Sequence, residues 1–271
     1  MRVPIEERFP RPSVMGVINV TPDSFSDGGV YLQVEPAVTA AWGMLDAGAA
    51  IVDVGGQSTR PGSEGVSAEE ELRRVEPVVR DLNGAPVSID TSKAAVARRA
   101  LELGAELVND VTALRGDPEL VDVVADAGCY LCLMHMLGEP RTMQVDPRYD
   151  DVVSDVKRFL EERLAFAVSR GVDEELVCLD PGIGFGKTVA QNFELVRRLD
   201  ELLELGRPVL IGFSRKSSLG RILGDPGART GSTAASVGVA VSAYEHGATI
   251  IRAHDVREHV EALAAARAVA G

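Results

Sequence analysis

Polar side chains of the kinds that bind small molecules stand at a recurring place in this chain, directly after short apolar runs. Val14-Met15-Gly16-Val17-Ile18 leads into Asn19-Val20-Thr21-Pro22-Asp23-Ser24-Phe25-Ser26-Asp27-Gly28-Gly29, where Phe25 is the one large apolar side chain. A segment so rich in turn formers, hydroxyls and carboxylates is too polar to pack, and a polar loop on a rigid strand is where binding chemistry usually sits. Later runs end the same way, in Gly55-Gly56-Gln57-Ser58-Thr59-Arg60-Pro61-Gly62, Asp90-Thr91, Asn109-Asp110, His135, Asp180, Ser214-Arg215-Lys216 and Arg252-Ala253-His254-Asp255. Carboxylates and amides can read the polar edge of a ligand, and guanidinium groups can hold an anion in a fork. The opposite ends of the runs carry little beyond Gly, Ala and Pro, an asymmetry that a purely structural scaffold has no reason to keep.

The elements that must position these groups follow from periodicity. Strands are expected over 14–20, 50–54, 87–90, 107–111, 130–135, 177–180, 209–213 and 249–253. Helical patterns lie between them, among them 68–82, 93–103, 118–127, 152–169, 192–205 and 257–269. Ser67-Ala68-Glu69-Glu70 has the hydroxyl and acid of an N-terminal capping box. Gly48, Gly84, Gly104, Gly128, Gly171, Gly206 and Gly247 stand where a left-handed residue would stop each helix before the next strand. Strands that are apolar throughout point to burial on both faces. Eight β/α units predict a (β/α)₈ TIM barrel, a fold of about 250 residues with its reacting groups at the C-terminal ends of the strands. The competing doubly wound sheet lacks its G-x-G-x-x-G after the first strand. One domain is expected over residues 1–271, with 1–12 as an N-terminal extension.

Composition narrows the class. The 271 residues are 45% hydrophobic and 25% charged, ordinary for a globular enzyme, and long enough for a substantial core without disulfides. A net charge of -13 disfavours nucleic acid or an anionic membrane as partner, but not a small anionic substrate in a locally basic cleft. The start of the chain lacks the apolar core of a signal peptide, and the three cysteines are odd and sparse, so a cytoplasmic enzyme is expected. Cys129-Tyr130-Leu131-Cys132 has metal-site spacing, yet on a strand residues three apart point to opposite faces, which favours packing over ligation.

In order along the chain, the segments Asn19 to Gly29, Ser58-Thr59-Arg60-Pro61-Gly62, Ser88-Ile89-Asp90-Thr91 and Asn109-Asp110-Val111 resemble the dihydropteroate synthases, the folate-pathway family targeted by sulfonamides. The match continues through Leu133-Met134-His135-Met136, Asp180-Pro181-Gly182-Ile183-Gly184-Phe185-Gly186-Lys187, Gly212-Phe213-Ser214-Arg215-Lys216-Ser217 and His254-Asp255-Val256. The resemblance implies a transferase that joins (7,8-dihydropterin-6-yl)methyl diphosphate to 4-aminobenzoate, releasing pyrophosphate. It assigns the pterin to Asp90, Asn109, Met134, Asp180, Gly212 and Lys216, with Asp180 and Asn109 on the ring edge and Lys216 on the ring carbonyl. The diphosphate falls to Asn19, Thr59, Arg60, Arg252 and His254, with Mg²⁺ held by Asn19 and diphosphate oxygens. The aminobenzoate falls to Phe25, Pro61, Phe185, Lys216 and Ser217. Asp90, Lys216, Arg252 and Asn19 are the implied catalytic set. Dissociative substitution at the pterin methylene carbon is the expected mechanism, with Thr21, Asp23, Ser24 and Phe25 in a lid ordered by diphosphate. A homodimer is expected, through helices that include the small-residue stretch 232–246.

Two positions depart from the family pattern, Gln57 in place of Glu and Ala253 in place of Val. The rival readings are a weak or inactive relative and a pterin-binding methyltransferase domain on the same barrel. Thr59-Arg60-Pro61, Ser214-Arg215-Lys216-Ser217 and Phe25 favour the synthase, because a methyltransferase needs no diphosphate clamp or aminobenzoate pocket. A single Arg or strand-end Asp has a bland alternative in a surface ion pair or a helix cap.

Overall fold

A computed structural model describes residues 2–21, 34–58, 63, 65–138 and 142–270. Eight parallel strands run β1 (Ser13–Asn19), β2 (Ile51–Gly55), β3 (Val87–Asp90), β4 (Leu107–Asp110), β5 (Tyr130–Met134), β6 (Val177–Asp180), β7 (Leu210–Ile211) and β8 (Ile250–Ala253). They pair in the order β6-β5-β4-β3-β2-β1-β8-β7, and a parallel bridge between Leu179 and Val209 closes the sheet into a barrel. The helices outside are α2 (Val34–Asp46), α3 (Ala68–Asp81), α4 (Ala94–Glu102), α5 (Leu120–Ala127), α6 (Val152–Ser169), α7 (Val189–Arg197), α8 (Leu199–Leu203), α9 (Ser217–Ile222), α10 (Thr233–Glu245) and α11 (Val256–Ala270). A short helix, α1 (Ile5–Arg8), precedes β1.

Strand alternation sorts the core into two layers. Val52, Val54, Ile89, Val108, Leu131, Leu133, Leu179 and Ile251 face outward and pack under the helices. Met15, Ile51, Leu107, Tyr130, Cys132, Cys178, Leu210 and Ile250 face inward and form a separate cluster. Ile5 and Phe9 complete that inner cluster and are fully buried. The Phe9 and Tyr130 rings pack edge-on with centroids 5.6 Å apart, and the Tyr130 hydroxyl donates to the Val3 carbonyl at 3.0 Å. Within the expected N-terminal extension, Ile5 and Phe9 thus stopper the N-terminal end of the barrel.

All seven glycines expected at helix ends have positive φ. Ser67 caps α3 by accepting from the Glu70 N–H, but the Glu70 carboxylate binds Arg73 and Arg74 instead of returning to complete the box. Cys129 joins the outer layer and Cys132 the inner one, so the two thiols diverge, and all three cysteines are free. The stretch 192–205 is two helices, broken at Arg198, whose guanidinium binds Asp151 and Glu201. Among the described residues no helix is long and apolar enough to cross a membrane.

Candidate active site

Above the apolar inner layer, the same inward rows turn polar. Two residues beyond Ile51 on β2 stands Asp53; two beyond Leu107 on β4 stands Asn109; two beyond Ile250 on β8 stands Arg252. Asp53 is fully buried and accepts three hydrogen bonds: Ser88 Oγ at 2.6 Å, Asn109 Nδ2 at 2.8 Å and Arg252 Nε at 2.7 Å. Arg252 Nη2 donates to Asp90 Oδ2 at 3.0 Å. Burial opposes the Arg252 charge, but Asp53 and Asp90 outweigh it and hold its pKa above the usual range. Burial, with Asp53 adding to it and Arg252 opposing, pushes the Asp90 carboxyl up to about 7.

A pocket opens over this floor, with about 340 Å³ of space when the solvent at its entrance is included. Its lining is Asp90, Asn109, Val111, Met134, Asp180, Ile183, Phe185, Gly212, Lys216 and Arg252. Six strands, β3 to β8, thus bring together all six residues expected at a pterin, along with Phe185 and Arg252. Met134 sits with Val111, Met136 and Met143 in a small apolar cluster, against which Phe185 packs. Burial raises the Asp180 carboxyl to about 6, opposed by the Gly182 N–H, which donates to Oδ1 at 2.7 Å, and by the charges of Lys216 and Arg252.

The loop after β6 has its shape forced by crowding. Gly182 has φ +70°, and a Cβ there would collide with the His135 carbonyl oxygen; at Gly186 a Cβ would lie 2.6 Å from Leu137 Cβ. Lys187 is buried beneath and donates to the carbonyls of Gly182 and Phe185, each at 3.0 Å, and its Nζ is 2.8 Å from His135 Nδ1. Burial lowers Lys187 to about 7, and burial together with Lys187 lowers His135 to about 2, so this imidazole is neutral at physiological pH. Asn192 accepts from the Gly184 N–H at 2.7 Å and donates to Ser218 Oγ at 3.0 Å, tying the loop to the start of α9. Lys216 lies with Nζ 4.3 Å from the centroid of the Phe185 ring.

The side where the anion is expected is formed by the β7 and β8 loops. The Ser214 hydroxyl accepts from the His254 N–H at 3.2 Å and lies 3.2 Å from His254 Nδ1. Arg215, at φ +57°, pairs through Nε with Asp255 Oδ2 at 3.0 Å, and Thr233 donates to the same oxygen at 3.1 Å. This pair bridges the loop that carries Lys216 to the loop that carries His254. Burial, then Arg252, Arg215 and Lys216, lowers His254 to about 4, leaving it neutral at physiological pH. Asn19 closes β1 beside Gly55 of β2, and Ser217 opens α9. Phe25, Thr59, Arg60 and Pro61, with Asp23 and Ser24 of the expected lid, lie outside the described residues.

Bland roles also exist. Asp110 is a turn former, accepting from the Thr112 and Leu114 N–H groups at 2.8 and 2.6 Å. Gln57 Oε1 accepts from Lys93 Nζ at 2.6 Å and from the Val66 N–H at 3.2 Å, while Lys93 also pairs with buried Glu71. With the neutral amide, Lys93 faces one carboxylate in this cluster rather than two. Asp53, Ser88 and Lys187 took no part in the expected site. The signal for Asp53 is a carboxylate enclosed by Ile51-Val52 and Val54, which an apolar strand can carry only where partners await it.

The family model described as "Pterin binding enzyme" matches residues 15–254. The dihydropteroate synthase of Escherichia coli (strain K12) is 46% identical over 256 residues, 93% of this chain and 89% of the relative. The Xanthomonas albilineans dihydropteroate synthase solved with 4-aminobenzoic acid is 46% identical with a TM-score of 0.89, covering 97% of this chain and 94% of that one. The same enzyme solved with 7,8-dihydropteroate has 44% identity and a TM-score of 0.86, covering 97% and 95%.

Proposed function

The chain belongs to the pterin-binding enzyme family, among its dihydropteroate synthases, and from that premise we propose how the mouth of the barrel performs the condensation. The enzyme joins (7,8-dihydropterin-6-yl)methyl diphosphate to 4-aminobenzoate, giving 7,8-dihydropteroate and pyrophosphate. The observation that carries the site assignment is the convergence of Asp90, Asn109, Asp180, Lys216 and Arg252 on one pocket from five strand ends or the loops that follow them.

The flat pterin lies in the slot walled by Met134 and Phe185, with Asp180 accepting its adjacent ring and exocyclic N–H donors. Lys216 donates to the ring carbonyl and, stacked on Phe185, marks the boundary with the aminobenzoate pocket, whose carboxylate reaches Ser217. Arg252 and His254 face the diphosphate, with Thr59 and Arg60 assigned there by family resemblance. As the bond from the methylene carbon to the diphosphate oxygen lengthens, positive charge grows on the dihydropterin and negative charge on the leaving group. Ionised Asp90 stabilises the first and Arg252 the second, a division suited to groups already aimed and desolvated. The neutral aniline nitrogen then bonds to the carbon as the carbon–oxygen bond breaks and gives up its extra proton to water, so no covalent enzyme intermediate is required.

Among the described residues no three His, Cys, Asp or Glu side chains group to hold a metal. The single amide of Asn19 at the end of β1 suits Mg²⁺ carried mainly on substrate phosphates with its own waters. Bound there, the ion would spread the leaving group's charge. We take the enzyme to be a cytoplasmic homodimer; α10 also packs against α11 inside the chain.

Pyrophosphate release from the pterin diphosphate, measured with Mg²⁺ and with or without 4-aminobenzoate, tests this reading. Aminobenzoate-dependent release is expected; folded protein that shows none is a binding relative instead.

A further inference from the structure

Asp53 cannot touch a ligand, since it is fully buried under the pocket floor, yet it binds two residues that do line the pocket. Its three partners are all donors: the Ser88 hydroxyl, the Asn109 amide and Arg252 Nε. Such a shell is built for an ionised carboxylate. It also settles the orientation of Asn109. Were that amide turned over, its oxygen would face Asp53 Oδ2 at the 2.8 Å now spanned by Nδ2, and two acceptors at that distance repel. With Nδ2 held below, Oδ1 takes the other side of the amide plane, towards the pocket. The pocket edge then offers acceptors in series, the Asp180 carboxylate and Asn109 Oδ1, to a ligand edge that is itself a row of N–H donors.

We propose that Asp53 is a positioning residue for the pterin: by accepting from Asn109 Nδ2 it dictates which face of that amide the substrate meets. The inference rests on reading the pocket as a pterin site. Asp53→Asn keeps the size of the side chain but supplies a donor where only acceptors stood. The Asn109 amide can answer by turning over, and would then show its NH₂ to ligand donors.

The test is equilibrium binding of 7,8-dihydropteroate, which lacks the diphosphate, to four chains: wild type, Asp53→Asn, Asn109→Ala and the double variant. Asp53→Asn should weaken binding at least about ten-fold when Asn109 is present, and less than about two-fold in the Asn109→Ala background. Equal losses in both backgrounds, or no loss at all, would overturn the proposal. Wild-type protein that fails to bind would instead overturn the pterin reading beneath it. A second measurement needs no folded variant at position 53. In the wild-type chain, the Asn109 side-chain amide, assigned by its disappearance in Asn109→Ala, should show one downfield, slowly exchanging proton before ligand is added and after. If that proton is absent from free protein, or forms only with ligand, Asp53 does not set the amide.

Discussion

The two ends of this barrel are made from the same strands and are used in opposite ways. At the N-terminal end, Ile5 and Phe9 press into Met15, Ile51, Leu107 and Tyr130, and among the described residues no buried side-chain nitrogen or oxygen there lacks a partner. At the C-terminal end, two residues further along those strands, Asp53, Asn109 and Arg252 replace the apolar row, and Asp90 and Asp180 are held well above the ordinary carboxylate range. One end lowers the free energy of the fold; the other raises it locally to keep charges aimed at a ligand. A strand shift of two residues divides them, because that is the repeat that returns a side chain to the same face.

Five measurements can break or sharpen that contrast. Lys216→Ala should cost about 10²–10³-fold in turnover, by analogy with the loss of one charge-stabilising donor, while the unfolding midpoint barely moves. Arg252→Ala is the informative companion. It should lose turnover as well, but it also strands Asp53 without a counter-ion, so a stability loss of about 3 kcal/mol or more is expected in denaturant titration. An Arg252→Ala chain as stable as wild type would mean that the floor of the site is not the charge-balanced unit it is taken to be.

At the stoppered end, Phe9→Ala should cost about 3–5 kcal/mol and leave the turnover of the remaining folded enzyme unchanged. A change in turnover without a change in stability would reverse the assignment of the two ends.

Asp180→Asn should abolish pterin binding yet stabilise the free protein at pH 8. The sign follows from the raised pKa: the folded chain holds this proton up to about pH 6, the unfolded chain only to the ordinary carboxylate value, so the ionised group opposes folding above pH 6. The gain is at most ~3 kcal/mol, seen as a higher unfolding midpoint at pH 8 that vanishes by about pH 4. The smallest effect expected is on the acid limb of kcat/KM for the pterin diphosphate, which should fall with decreasing pH through about 6 to 7 as Asp180 and Asp90 take up protons. A profile flat down to pH 5 would show that neither carboxylate needs to be ionised in the free enzyme.

The strands were legible because each is an apolar run bounded by turn formers, and all eight stand within a few residues of their expected bounds. Even so, β7 contracts to Leu210–Ile211. The helix expected over 192–205 hides a break at Arg198, the residue that pairs with Asp151 and Glu201. The stopper was illegible, since four helical residues carry no periodicity, and Ile5 and Phe9 reveal their role only through what they touch. Asp53 stands out as a carboxylate in an apolar run, but its role was illegible for a related reason. Its neighbours in the chain are apolar, and its partners Ser88, Asn109 and Arg252 come from three other strands. The polar strand ends were visible, yet nothing local distinguishes Asp110, which shapes its own turn, from Asn109 beside it, which lines the pocket.

Local chemistry therefore determined the β/α alternation, the seven left-handed glycine stops and the concentration of reactive side chains at one set of strand ends, because periodicity and backbone preference act over a few residues. Closure of the barrel alone decided which of those side chains share a carboxylate, which are buried deeply enough to shift their protons, and which face a ligand. Arg252 and Asp53 are 199 residues apart along the chain and 2.7 Å apart in space, and no feature of either neighbourhood specifies that pairing.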